Sequence, residues 1–304
     1  MGVSLKLFTD KKELLEYIRS EINDEVEKVS KQSIENKKKS DKVNKEIAKI
    51  KNNLLKQLNV IVKKEKLDKK QNLDALLLLN YCCYVVMLEA RNGVWKYDYM
   101  TFSRRIGELW EPFAKLPFEI PLKNIELVQP SSFEKVQTGL IKEVNDNIYS
   151  LDIEDDKKEG LVNQFNMIWS FVDSGSIQLK LDLHFRDESA TYNVDYKSGF
   201  SSNEKGNTNR LLTVGSILKM IDDKNRQVIF VRQDEEENNH YLQTLKNSGI
   251  FKVYCGDEAY DKIYEFTGYN IKQWIRENMN WKNDISDEFY EYLKENDLIK
   301  YLKW

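Results

Sequence analysis

The sequence predicts an α/β fold, a central mixed sheet flanked by helices, preceded by a helical N-terminal region. Three observations carry this. Residues 179–197 alternate apolar and polar side chains on either side of a turn, as a β-hairpin does. The runs "QVIFVRQ" and "IFKVYCG" are short and almost continuously apolar, the pattern of strands buried on both faces, and each follows a helical stretch. Residues 10–92 place apolar side chains at near-helical spacing.

Taken in order, Asp10 is placed to cap a helix over "KKELLEYIRSEINDEVEKV". "VNKEIAKIKNNLLKQLNVIVKK" predicts a second helix, antiparallel to the first, with "KQSIENKKKSDK" as the break or a polar helix middle. A third helix is expected over about 72–92, ending near Gly93. The aromatic stretch that follows carries Arg104 and Arg105 on a helix and closes on Pro112, Pro117 and Pro121. This sets a boundary between a helical region, 1–130, and a second region, 131–304. In the second region, helices over about 132–147 and 157–172 lead into the hairpin. "NTNRLLTVGSILKMIDD" predicts the next helix, then come the strand "QVIFVRQ", a helix ending at Gly249, and the strand "IFKVYCG". Two or three helices with Trp274, Trp281 and Trp304 finish the chain, and no internal repeat is present.

The 304 residues are 41% apolar and 32% charged, with a net charge of −3. Residues 28–71 hold 15 Lys against 5 acids, a local charge of +10 that leaves −13 for the rest. Such a segment suits a polyanion partner or, more simply, a solvated helix face. The most apolar run, "LDALLLLNYCCYVVMLEA", is broken by Asp74, Asn80 and Glu89 and reads as a buried helix rather than a membrane span. No signal-peptide core is visible at the N-terminus. Cys82 and Cys83 are adjacent and Cys255 stands alone, so neither a disulfide framework nor a zinc spacing is offered. A reducing, cytoplasmic setting and no membrane association are expected.

Alternation assigns faces to the hairpin. Leu179, Leu181, Leu183 and Phe185 are expected on one side with Tyr192, Val194 and Tyr196; Lys180, Asp182 and His184 are expected on the other with Asn193, Asp195 and Lys197. A turn centred on Glu188-Ser189 sets His184 opposite Asn193, Asp182 opposite Asp195 and Lys180 opposite Lys197. Two carboxylates facing each other across a ladder repel. A hard divalent cation reverses that penalty, because Mg²⁺ takes one or two carboxylates together with waters and phosphate oxygens.

An acid in one strand followed by Asp-x-Lys in the next resembles the core motif of the PD-(D/E)XK nucleases, through Asp182, Asp195 and Lys197. "SGFSSNEKGNTNRLL" leading into a helix and then "QVIFV" matches that family's order of elements. The resemblance covers about 157–255, a third of the chain. It departs in having no Pro before Asp182 and Tyr196 at the x position. It implies a restriction-endonuclease-like core and Mg²⁺-dependent hydrolysis of phosphodiester bonds. Asp182, Asp195 and the main-chain carbonyl of Tyr196 would be the metal ligands. Lys197 would orient water and offset the charge on the phosphorane; it could act as base only with a depressed pKa. Many members add a carboxylate from the preceding helix, for which Glu159 is the first candidate and Asp173 the second.

Around this motif, Lys205, Asn207, Asn209 and Arg210 lie at a helix start, where phosphate is favoured. Arg104 and Arg105 are further DNA candidates, although a pairing with Glu108 explains them equally. His184 is expected to bond Asn193 rather than a metal, and Gln233 closes a strand near the site. His184 and His240 are too dispersed for histidine-based nuclease chemistry, and no glycine-rich ATP loop occurs. Size and domain content are similar to a type II restriction enzyme, which implies double-stranded DNA as substrate, a homodimer on a palindromic site, and a cognate DNA methyltransferase as functional partner. The competing expectations are a repair or junction-resolving nuclease of the same superfamily, and a non-catalytic DNA-binding or interaction module with a nuclease-like core.

Overall fold

The structure is a computed structural model that describes residues 4–170, 179–201 and 204–304. The N-terminal region is an antiparallel arrangement of α1 (Lys11–Ser30), α2 (Asn36–Glu65) and α3 (Lys69–Val94). The Asp10 side chain caps α1 by accepting from Glu13 N–H at 3.0 Å, as the sequence predicts. Asp68 and Gln71 close a capping box on α3, which runs past Gly93. α2 buries Val43, Ile47, Ile50, Leu54, Leu58 and Ile61 along one side and leaves its lysines outside.

α4 (Tyr99–Glu119) does not stop at its prolines; Pro112 and Pro117 lie inside it. Each removes a helical N–H, a cost of about 3 kcal/mol in an exposed helix. Here the helix is held by what it packs: Trp110, Phe113, Ala114, Leu116 and Phe118 are all buried. Tertiary burial overrides local propensity.

The remaining elements are β1 (Glu126–Leu127), α5 (Phe133–Tyr149), α6 (Asp155–Ser170), β2 (Leu183–Arg186), β3 (Thr191–Lys197), α7 (Lys205–Ile221), β4 (Asn225–Val231), α8 (His240–Asn247), β5 (Phe251–Cys255), α9 (Asp257–Thr267), α10 (Ile271–Asn278), α11 (Trp281–Asp284) and α12 (Asp287–Glu295). The five strands lie in the order β1-β2-β3-β4-β5. β1 and β2, and β2 and β3, pair antiparallel; β3, β4 and β5 run parallel, with α7 and α8 as the crossovers. The fold is therefore α/β with a mixed sheet and an N-terminal helical region; the two-residue β1 is an addition that no sequence pattern announces.

Each face of the sheet has its own core. Val194, Tyr196, Val228, Phe230 and Phe185 join a large cluster built from α1–α4 and the C-terminal helices. Residues on both sides of the expected boundary near 130 belong to this one cluster. Ile229, Val231 and Val253 join a smaller cluster with Leu211, Val214 and Leu218 of α7 and Leu242 and Leu245 of α8. α3 is long and apolar enough to cross a membrane, yet 78% of its most apolar window is packed inside the fold. Cys82, Cys83 and Cys255 are buried free thiols.

Tyr196 is 3% exposed and its hydroxyl has no hydrogen-bond partner. Tyr196→Phe removes this orphaned group while keeping the ring under Trp110 and Lys115. It should raise stability by about 1 kcal/mol, or roughly 2 °C in melting temperature by calorimetry.

Candidate active site

β2 and β3 pair in the register read from the sequence, with Leu183 opposite Val194 and His184 opposite Asn193. The ladder ends there. Residues 179–182 are not strand, so Asp182 is not opposite Asp195 and Lys180 is not opposite Lys197. Leu179 and Leu181 turn into the cluster under α7, away from Phe185, where strict alternation would have kept all of them together. The bend has a visible cause: His184 Nε2 accepts the Leu181 N–H at 2.9 Å, pulling that backbone inward.

Beyond the bend Asp182 replaces the missing ladder. Its Oδ2 accepts the Tyr196 N–H at 2.8 Å. Within a strand the N–H and C=O of one residue leave on the same edge. The Tyr196 carbonyl therefore also faces the Asp182 side, whereas the Lys197 carbonyl faces β4 and accepts from Arg232 N–H at 2.9 Å.

The polar side chains of β3 are not on a solvated face. Asn193 and Asp195 are 2% and 1% exposed, in register with Gln227 and Ile229 of β4 and covered by α7. Lys197 Nζ lies 2.5 Å from Asp195 Oδ1, and Arg210 Nη2 of α7 lies 3.2 Å from Oδ2. The lysine contact is the shorter of the two and engages Oδ1. Burial pushes the Asp195 carboxyl above its usual range; Lys197 opposes this, nearby Asp182 adds to it, and Arg210 opposes it.

His184 is neutral and structural, as expected. Its Nε2 accepts from Leu181, which fixes the proton on Nδ1, donated to Asn193 Oδ1 at 2.7 Å. Burial holds its pKa below the ordinary histidine value, against the opposing effect of the Asn193 hydrogen bond.

Other candidates divide. Glu159 is exposed on α6, and among the described residues no group of three His, Cys, Asp or Glu side chains comes together, so it does not join Asp182 and Asp195. Asp173 lies outside the described residues. Arg104 and Arg105 both pair with Glu108, at 2.8 and 2.9 Å. Asn207 is held by Glu204 and Arg210. Lys205 and Asn209 are exposed, and their side chains have no partner among the described residues. Gln233 packs onto Gly199, where a Cβ would lie 1.4 Å from its Oε1; this fixes the turn two residues past Lys197. The Arg210–Asp195 pair leaves no sequence signal, because 15 residues separate its members.

The donor set of Asp182, Asp195 and the Tyr196 carbonyl is all hard oxygen; Asp195 Oδ1 is held by Lys197 at 2.5 Å, and Oδ2, met by Arg210 at 3.2 Å, is the less tightly held of its two oxygens. That chemistry fits Mg²⁺. Cavities of about 540, 480 and 440 Å³ among the described residues are lined by other residues. Comparison with family models, with curated proteins and with solved structures gives no match to this chain.

A buried acid whose folded pKa is raised contributes stability that is complete below its ordinary value of 3.8 and lost as pH rises through the folded value. At neutral pH the Asp195 charge is therefore a net cost. Asp195→Asn should melt higher than wild type at pH 7, with the difference shrinking as pH falls toward 4; an unchanged or lower melting temperature at pH 7 would contradict this.

Proposed function

We propose that the chain is a Mg²⁺-dependent endonuclease of the PD-(D/E)XK superfamily, with a restriction-endonuclease-like core, that cuts double-stranded DNA in the manner of a type II restriction enzyme. The observation that carries this is the convergence of Asp182, the Tyr196 backbone edge, Asp195 and Lys197 where the β2–β3 ladder stops. Supporting it, a helix bearing Lys205 and Arg210 follows directly, and the next strand, β4, runs parallel to β3.

Asp182, Asp195 and the Tyr196 carbonyl would hold Mg²⁺, which when bound supplies Lewis-acid polarisation of a phosphate oxygen and eases deprotonation of water. The protein's own groups do the rest. Lys197, 16% exposed, has a fixed ammonium that can direct a water and balance negative charge growing on phosphorus. Lys205 and Asn209 offer unpaired donors to the flanking phosphates. Asp195 stays under α7, shielded from water, where its interaction with a cation is strong. Duplex DNA of twofold symmetry calls for a homodimer, and a restriction activity for a protecting methyltransferase in the same cytoplasm.

Cleavage of plasmid and viral DNA with Mg²⁺ into discrete fragments is the expected result. Asp195→Ala or Lys197→Ala should lower the rate by 10³-fold or more, in line with loss of a preorganised electrostatic group, while DNA binding persists. Undiminished cutting by either variant removes the assignment. Cutting confined to flaps or junctions would select the repair-type reading instead.

A second observation supports a polyanion partner. On α2, Lys38, Lys42, Lys45, Lys49, Lys56 and Lys63 fall within about 60° of arc and run about 37 Å, opposite the buried side. Lys45, Lys56 and Lys63 have no ion-pair partner among the described residues. Changing Lys42, Lys45, Lys56 and Lys63 to Gln should weaken DNA binding. The slope of log K against log salt should fall by about 0.9 per lysine that meets a phosphate. An unchanged slope would return these lysines to the role of solvated surface.

A further inference from the structure

We propose that Arg210 and the divalent cation are alternative occupants of Asp195, so that Arg210 makes cation loading depend on the arrival of DNA. This rests on the nuclease reading above and adds a role for a residue outside the motif.

Asp195 has two ion-pair partners, and they are not equivalent. Lys197 is 16% exposed and belongs to the same strand, two residues on. Arg210 is 45% exposed and comes from α7. Its guanidinium reaches Asp195 through one nitrogen and one oxygen only, at 3.2 Å, not as the two-pronged fork that makes arginine–carboxylate pairs strong. Its other contacts, to Asn207 Oδ1, are 3.3 and 3.4 Å. A long, half-exposed side chain held by single, lengthy bonds can leave; the lysine, more buried and at 2.5 Å, is the tighter partner.

The two occupants exclude each other. A divalent ion on Asp195 Oδ2 would share one oxygen with a guanidinium nitrogen now 3.2 Å away, and like charges so close repel. Released, Arg210 is the donor best suited to a phosphate, and exposed Lys205 stands five residues before it on the same helix. DNA therefore offers Arg210 a new partner as the cation takes its old one. Each charge stays compensated throughout, and by linkage each ligand raises the affinity for the other.

Calorimetric titration of the full chain with MgCl₂, without DNA, tests this on wild type, Arg210→Ala, Arg210→Lys and Asp195→Asn. Arg210→Ala should bind Mg²⁺ about three- to ten-fold more tightly than wild type, the range expected for removing one charge-assisted competitor. Arg210→Lys keeps the charge on a shorter arm and should also bind more tightly. Asp195→Asn should abolish the heat. Equal affinities for wild type and Arg210→Ala, with Asp195 still required, overturn the exchange and leave the metal site standing. Tightening in Arg210→Ala but not in Arg210→Lys assigns the effect to distant charge and likewise overturns it. Absence of any Asp195-dependent Mg²⁺ binding removes the nuclease reading and the exchange together. Circular dichroism and melting temperature confirm that each variant is folded.

Discussion

The burial of one carboxylate, that of Asp195, constrains everything around it. At 1% exposure it has lost nearly all of its water, a loss worth several kcal/mol for an isolated ion. The fold answers with two cations, from two different elements. Even so, the balance favours the protonated form relative to water. A group kept at such a disadvantage at neutral pH is poorly explained as a stabilising ion pair.

That cost is tolerable because the rest of the molecule is arranged unequally about the sheet. The large core on one face draws on the N-terminal helices, α4 and the C-terminal helices alike, with buried Asp284 bonded by Tyr81 and Lys11 among them. The face under α7 admits a polar row. There a continuous chain of hydrogen bonds runs from Leu181 N–H to His184, on to Asn193 and Asn225, and ends at the Leu218 carbonyl of α7. This chain ties the segment before β2 to the sheet and to α7, so the position of Asp182 is set from three directions. His184 takes part only when neutral, and the burial that depresses its pKa keeps it so.

Much of this was legible in the sequence where one physical rule dominated. Period-two alternation and turn position gave the β2–β3 register, and the buried-strand runs gave β4 and β5. Asp10 before a helical run gave the cap of α1. The departures occur where long-range packing decides. α4 passes through Pro112 and Pro117 because its apolar side is needed in the core. The polar side of β3 lies under a helix, since alternation distinguishes two faces without saying which one is covered. Leu179 and Leu181 depart from alternation because a side-chain hydrogen bond from His184 captures the backbone. Arg210 reaches Asp195 only through the packing of α7 on the sheet, which no local pattern encodes. Glu159, the helix carboxylate that the resemblance implies, is exposed on α6 and apart from the two aspartates.

The bend before Leu183 finally accounts for why the backbone edge of β3 opens at this point in an otherwise regular sheet. Had β2 continued in register through Asp182, the N–H and C=O of Tyr196 would both have been consumed by the ladder. The two carboxylates would have faced each other as an unfavourable pair. Because the strand stops at Leu183, the ladder no longer covers that edge of Tyr196. The Asp182 carboxylate takes over the N–H and leaves the carbonyl beside it. The irregularity thus replaces a closed hydrogen-bonded edge with an open one, at the boundary between the exposed Asp182 carboxylate and the buried Asp195.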